Sequence, residues 1–243
     1  MAAWGLKGDY LTEEILKNLY NEIGYEFRNP EMARQAFRHS SFVHENPGDL
    51  RGDNERLEFL GDAVLDLAVG HMLMNLLPEA REGELSKLRA SVVSENGLSR
   101  AARELRLGEM ILLGKGEEAS GGKDKPSIMA DTLEALIGAV YLDGGLDNAM
   151  VVIERIIGPL LRQTIEKGLA DDSKSLLQEY TQQNCKSLPA YHLLAESGPP
   201  HDKTFRVSVW LSGRLLAEGI GKSKKEAEQE AAKEAYSCLI NHQ

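Results

Sequence analysis

The chain has 243 residues, 42% hydrophobic and 27% charged, enough for one large or two ordinary domains and a well-buried core. No apolar run approaches the roughly 20 residues that span a bilayer, and Met1 to Lys7 lacks the apolar stretch of a signal peptide, so neither a membrane protein nor an exported one is expected. The net charge of −10 argues superficially against nucleic acid, but it is uneven: residues 1–170 carry 19 basic and 28 acidic side chains, residues 171–243 carry 9 and 10.

In chain order, residues 12–28 read as a helix opened by Thr12, with Ile15, Leu16, Leu19 and Tyr20 at core spacing. Asn29-Pro30 is a second start, a cap followed by a first-turn proline, leading into Met32, Ala33, Ala36 and Phe37. His39 and His44 follow; with no His-x-x-x-His or Glu-x-x-His spacing anywhere, both read as structural. Residues 45–49 form a turn-rich loop, and a long helix then runs from Asn54 to Leu77, closed by Pro78.

On that helix Glu55, Glu58 and Asp62 fall on one narrow stripe, opposite Leu57, Leu60, Val64 and Ala68. A solvated face is the ordinary reading of such a stripe. Here Phe59, Ala63 and Val69 border it, so the helix is apolar almost all round and belongs in an interior or an interface. Clustered carboxylates are costly there unless a cation neutralises them.

Residues 84–91 and 94–107 suggest two further helices, with Glu82 as a helix-start carboxylate. The glycine-rich run 114–123 lacks a preceding strand and a Gly-Lys-Ser/Thr ending, so it reads as a flexible segment rather than a phosphate cradle. A second apolar helix, Ser127–Tyr141, again carries acids on one face, Asp131 and Glu134 at i and i+3, and a glycine, Gly138, that like Gly61 permits close backbone approach. Two such helices are what a carboxylate-bridged hard cation requires, since it takes oxygen ligands from more than one element. A last helix covers 147–168.

After a linker at 169–173 the pattern changes. Residues 174–184 read as a helix, then Tyr191–Ser197, Thr204–Leu211 and Arg214–Gly221 as strands with a Ser212-Gly213 hairpin turn. Ser223-Lys-Lys-Glu226 is a capping box opening a final helix to Leu239. Lys222, Lys224 and Lys225 cluster at that helix start, where the dipole disfavours cations unless an anion binds. Gln178 and Glu179 offer groups for ribose hydroxyls, and Gly198-Pro-Pro-His201 forms a rigid polar loop tip. Cys185 and Cys238 have neither zinc nor disulfide spacing and read as buried thiols of a reducing cytoplasm.

Asn-Glu-Arg-Leu-Glu-Phe-Leu-Gly-Asp at 54–62 resembles the signature of bacterial ribonuclease III, and Ala-Asp-Thr-Leu-Glu-Ala-Leu-Ile-Gly at 130–138 resembles its second acidic helix. Leu-Leu-Gln-Glu-Tyr at 176–180, Gly-Pro-Pro-His at 198–201 and Lys-Ser-Lys-Lys-Glu-Ala-Glu at 222–228 resemble the contact regions of a double-stranded-RNA-binding domain. The resemblance implies an all-α endonuclease domain (1–168), a linker (169–173) and a small α-β-β-β-α double-stranded-RNA-binding domain (174–243). It implies a cytoplasmic, Mg2+-dependent homodimeric endonuclease of duplex RNA, with Mn2+ as a substitute and no organic cofactor. Such an enzyme leaves 5′-phosphate and 3′-hydroxyl ends with short 3′ overhangs and processes precursors of ribosomal, messenger and transfer RNA.

Carried over position by position, Glu58, Asp62, Asp131 and Glu134 are the metal-binding quartet, with Asp62 and Glu134 catalytic. Glu55 and Glu82 are auxiliary acids of the cleft, and Phe59 is the aromatic inserted into the partner subunit. Gln178, Glu179, His201, Lys222, Lys224 and Lys225 are the RNA contacts. Asp66 reads as solvated. Two other classes compete. A duplex-RNA holder that does not cut would be expected to lack some of the acids. A di-iron bundle would need Glu-x-x-His pairs, which are absent.

Overall fold

The computed structural model describes residues 11–47, 51–171, 173–199 and 202–240, with the side chains of 167–171 excepted. It divides into two compact units at residues 164 and 165.

The first unit is helical. Its elements are α1 (Glu13–Ile23), α2 (Pro30–Ala36), α3 (Ser40–Glu45), α4 (Glu55–Leu76), α5 (Glu82–Val92), α6 (Glu95–Glu104), α7 (Lys115–Ala119), α8 (Pro126–Gly144) and the start of α9 (Leu146–Asp171). Helix α8 is the axis. Its Ile128, Leu133, Leu136, Ile137 and Val140 are buried, and α2, α4 and α6 pack around it. The tightest of these contacts is with α4. A Cβ on Gly61 would lie 1.8 Å from the Glu134 carbonyl oxygen, and one on Gly138 would lie 2.1 Å from that of Leu57. Only hydrogen at both positions lets the two backbones meet, as their common place beside the acids suggested.

Helix α1 stops well short of residue 28. Thr12 caps it from Oγ1 as expected. Gly24, however, takes a left-handed conformation (φ 74°) and donates its N–H to the Tyr20 carbonyl, ending the helix. The chain beyond is tied elsewhere: Asp143 of α8 accepts from the Tyr25 hydroxyl (2.7 Å) and from the backbone N–H groups of Arg28 and Asn29.

The glycine-rich run is not the flexible segment expected of it. It contains α7 and a 3-10 turn at Gly122–Asp124, and three fastenings hold it. The Gly114 N–H donates to Ser41 Oγ, the Lys115 N–H to Glu45 Oε2, and Lys125 Nζ to Glu117 Oε1. Just before it, Leu112 exchanges backbone hydrogen bonds with Phe37 and His39. The first two acceptors come from α3, a helix too short to announce itself in the sequence.

The expected linker at 169–173 is also largely helical: α9 runs on to Asp171, and α10 (Ser173–Asn184) begins at Ser173. The nearest glycine is Gly168, and one glycine costs a helix about 1 kcal/mol, too little to stop a long one.

The second unit has three antiparallel strands in the order β1 (Ala190–Ser197), β2 (Thr204–Leu211), β3 (Arg214–Gly221), with α10 and α11 (Lys224–Ile240) packed together. Phe205, Val207 and Val209 alternate inward. Val209 joins Leu177, Ala231, Ala232 and Ala235 in the core. Ser212 and Gly213, at φ 49° and 82°, make the hairpin turn. The capping box forms in part: Ser223 Oγ accepts from the Glu226 N–H, while Glu226 Oε2 reaches back to the N–H of Lys222. Cys185 and Cys238 are exposed rather than buried, the first lying just past the end of α10 and the second on the outer side of α11.

Among the described residues no helix is long and apolar enough to cross a membrane. Because a methyl group at Gly61 meets backbone rather than a side chain that can swing away, Gly61→Ala should lower stability by about 3 kcal/mol or more. Urea unfolding of the variant measures that loss.

Candidate functional site

The α4–α8 crossing sets the acids. Gly61 and Leu57 bracket Glu58 on α4, and each touches the backbone of α8 at Glu134 or Gly138. Side chains beside those contacts cannot avoid one another. One carboxylate oxygen from each of Glu58, Asp131 and Glu134 lies within 4.8 Å of the others. All three side chains are half-buried.

The electrostatics are those of an uncompensated cluster. Glu134 is pushed up to about 8, first by burial and then by the charges of Asp62, Asp131, Glu58 and Asp66. Glu58 is raised by burial and by Asp131, Glu55, Asp62 and Asp53. Asp131 is raised by burial and by Glu95, against the opposing influence of His39. Three oxygen ligands from two helices, crowded until one holds its proton near neutral pH, suit a hard dication.

The expected acids separate into two groups. Asp62, one turn along α4 from Glu58, is exposed and stands outside the converging triad, although its charge is the strongest acting on Glu134. Glu55 is exposed and acts on Glu58 from the preceding turn. Glu82, the first residue of α5, is exposed and accepts a hydrogen bond from Ser86 (2.8 Å). Asp66, read as solvated, lies 3.7 Å from the Arg89 guanidinium and still bears on Glu134. Phe59 is 81% exposed beside the acids, and Leu67 and Met74 continue an exposed apolar side of α4.

Sequence reasoning missed His39, at the N-cap of α3, and Glu95, on α6, as charges acting on Asp131. No spacing rule links either residue to position 131, since the fold alone brings them near.

In the second unit Lys222, Lys224 and Lys225 are exposed at the start of α11. Lys222 Nζ donates to Asp202 Oδ1 (2.6 Å), which ties the β1–β2 loop to the β3–α11 junction. Gln178 is exposed on α10. Glu179 is half-buried and accepts from Gln183. Lys174 is held by Glu228 and lies 4.4 Å from the centre of the Tyr191 ring. His201 lies outside the described residues.

Residues 29–160 match the family model described as ribonuclease-III-like, and residues 173–239 match the double-stranded RNA binding motif. The chain is 50% identical over 228 residues to ribonuclease 3 of Syntrophobacter fumaroxidans, covering 92% of this chain and 94% of that one. It is 49% identical to ribonuclease 3 of Pelotomaculum thermopropionicum, with 92% and 93% covered. The nuclease domain of ribonuclease III from Campylobacter jejuni superposes with a TM-score of 0.56 at 42% identity, covering 61% of this chain and 97% of that structure.

A carboxyl group whose pKa is raised on folding binds a proton in the folded state that the unfolded chain has lost. Between the ordinary glutamate value of 4.5 and about 8, metal-free stability should therefore fall as pH rises. Urea titrations in EDTA at pH 5, 6.5 and 8 measure this. The expected result is a downward slope that flattens in Glu134→Gln and that a divalent cation opposes at the upper end.

Proposed function

Since this chain belongs to the ribonuclease III family, and is by that membership an endoribonuclease with a double-stranded-RNA-binding domain, we propose that it cuts duplex RNA with Mg2+ held by Glu58, Asp131 and Glu134. The observation that carries this reading is the convergence of those three carboxylates, one of them raised to about 8. Asp62 is the fourth ligand of the proposal. It is exposed one turn further along α4, and its charge reaches Glu134. Glu55 and Glu82 serve as outer acids of the cleft.

The chemistry a bound Mg2+ supplies is Lewis acidity beside the phosphodiester, which favours a hydroxide nucleophile and offsets charge on the departing 3′ oxygen. Glu134, raised to about 8, would give up its proton to ligate a dication, so near neutral pH binding would be coupled to proton release. With a cation held there the cluster would repel the phosphate less, and Asp62 and Glu134 are the residues that would orient the attacking water. The products are a 5′-phosphate and a 3′-hydroxyl. Mn2+, another hard dication that accepts oxygen ligands, substitutes. No organic cofactor takes part.

Two copies act together in this reading, each cutting one strand, so that offset cuts leave short 3′ overhangs. An aromatic ring 81% exposed is unusual on a solitary surface, and Phe59, Leu67 and Met74 form an apolar side of α4 on which a second copy fits. A Campylobacter jejuni structure of a ribonuclease III nuclease domain is described as flexible in a region involved in dimer formation.

Duplex RNA is held by the second unit. Lys222, Lys224 and Lys225 meet phosphate at the start of α11, and Gln178 and Glu179 meet ribose hydroxyls across a minor groove, with His201 at the loop tip. Its natural substrates are precursors of ribosomal, messenger and transfer RNA in the cytoplasm.

Glu134→Gln should retain duplex binding and lose Mg2+-dependent cleavage by at least about a hundredfold, because the carboxylate's charge is lost and only a weaker, neutral amide oxygen remains for the cation. A long RNA duplex incubated with and without Mg2+ and analysed on a gel decides it. Cleavage at the normal rate would refute the metal assignment. Lys224→Ala with Lys225→Ala should weaken binding most at low salt and shrink the slope of log affinity against log salt by about 0.9 for each phosphate no longer neutralised. Filter binding over a salt series measures that slope.

A further inference from the structure

The start of α4 is fastened to the end of α2 by two carboxamides that reach in opposite directions. Gln35, in the last turn of α2, donates from Nε2 to the Asp53 carbonyl (2.9 Å). Asn54, the residue before α4, donates from Nδ2 to the Ala36 carbonyl (3.2 Å), and its backbone N–H donates to the Arg38 carbonyl (2.9 Å). Ala36 closes α2, so its carbonyl is one of those that a helix end leaves without an internal partner. Asn54 is 3% exposed, and Gln35 is half-buried.

Asn54 gives up its ordinary task to do this. An asparagine at a helix start commonly accepts an N–H of the first turn through its side chain, and this one does not. Asp53 takes over part of the capping, its Oδ1 accepting from the Glu55 N–H (3.2 Å). The Asn54 carbonyl accepts from the N–H groups of Leu57 and Glu58, at 2.9 Å each. A continuous run of hydrogen bonds therefore leads from the end of α2, through the backbone of Asn54, to Glu58. That residue is the one member of the converging triad that α4 supplies.

The clasp provides what the glycine contacts leave open. Gly61 and Leu57 fix how closely α4 approaches α8, but two rods that touch over one turn can still roll. At a side-chain radius of about 6 Å, a roll of about 20° moves a carboxylate by about 2 Å, far more than the spread of metal–oxygen distances. Helix α2 itself packs on α8, so the clasp refers the first turn of α4 to the helix that carries Asp131 and Glu134.

We propose that Gln35 and Asn54 are positioning residues for the cation site: their clasp fixes the roll of α4 and so holds the Glu58 carboxylate toward Asp131 and Glu134. The role rests on the metal reading above. Supporting groups of this kind typically change metal affinity by about 10- to 100-fold when removed.

Three substitutions separate this role from a merely structural one. Asn54→Asp keeps the shape of the side chain but has no N–H to offer the Ala36 carbonyl. Its added negative charge, one turn from Glu58, would by itself tighten the hold on a dication, so charge and clasp predict opposite changes. Gln35→Ala breaks the other half of the clasp without burying a charge, and it decides the matter alone if Asn54→Asp does not fold. Thr12→Ala, which removes the cap of α1 in the same unit, controls for general loosening. Mn2+ binding to the full chain, followed by the loss of the free ion's electron paramagnetic resonance signal, gives a readout independent of activity. It is measured at a temperature where circular dichroism shows each variant folded.

The expected result is that Asn54→Asp and Gln35→Ala bind Mn2+ about 10- to 100-fold more weakly, with cleavage recovering at high Mn2+, while Thr12→Ala binds it as the wild type does. Unchanged affinity in Gln35→Ala overturns the proposal, as does tighter binding by Asn54→Asp or an equal fall in Thr12→Ala. A wild-type chain that binds no Mn2+ overturns the metal reading itself, and this proposal with it.

Discussion

Everything at the acidic cluster depends on two backbones touching. Gly61 meets the carbonyl of Glu134, and Gly138 meets that of Leu57, at separations no side-chain carbon could enter. The acids are neighbours of these contact points in sequence, so the crossing brings Glu58 together with Asp131 and Glu134 whatever their charges prefer. The penalty appears as the raised values of all three carboxyls. What outweighs it is the apolar burial of α8, whose Leu133, Leu136, Ile137 and Val140 are all enclosed. Leu-sized side chains contribute about 1.5–3 kcal/mol each on burial, so four of them exceed the repulsion of a few partly hydrated charges. The fold imposes a charge arrangement that a proton on Glu134 relieves and that suits a divalent cation.

That imposition was partly legible in the residues. Acids at helical spacing on an otherwise apolar helix, twice, each helix with a glycine beside its acids, state that two helices meet closely and that charge lies at the meeting. The strand alternation through Val207 and Val209, the Ser212-Gly213 turn and the Ser223 cap are local rules, and the structure follows them. Which acids converge is a different kind of fact. Asp62 and Glu58 share a stripe in the sequence, yet Glu58 alone of the two has an oxygen within 4.8 Å of both acids of α8, while Asp62 stays exposed and acts on Glu134 by its charge. A helical wheel has no coordinate along the axis of the neighbouring helix.

Long-range fastenings escaped for the same reason. The run at 114–123 contains four glycines in ten residues, and local propensity makes it a loop. It is held by acceptors from α3, some seventy positions earlier in the chain. The pairing of Phe37 and His39 with Leu112 is likewise non-local. His39 illustrates the general difficulty. Alone it is a histidine without a metal-ligand spacing, and its place, capping the Ser41 N–H through Nδ1 and paired with Leu112 through its own N–H, follows from contacts that no spacing rule predicts.

The distribution of charge between the two units now has a physical sense. An excess of acids over bases in residues 1–170 repels a polyanion, and at physiological ionic strength that repulsion extends about 8 Å. Neutralising it wholesale with lysines would bring ammonium groups to the carboxylates and compete with the cation for the same oxygens. Separating the tasks avoids that competition. The acids cluster in the first unit, compatible with a divalent metal, while Lys222, Lys224 and Lys225 present positive charge from a different hydrophobic core. Even there Lys222 is not left to wander: Asp202 holds its ammonium at 2.6 Å, and the Glu226 carboxylate caps its N–H. The ordering entropy is then spent in folding rather than in binding.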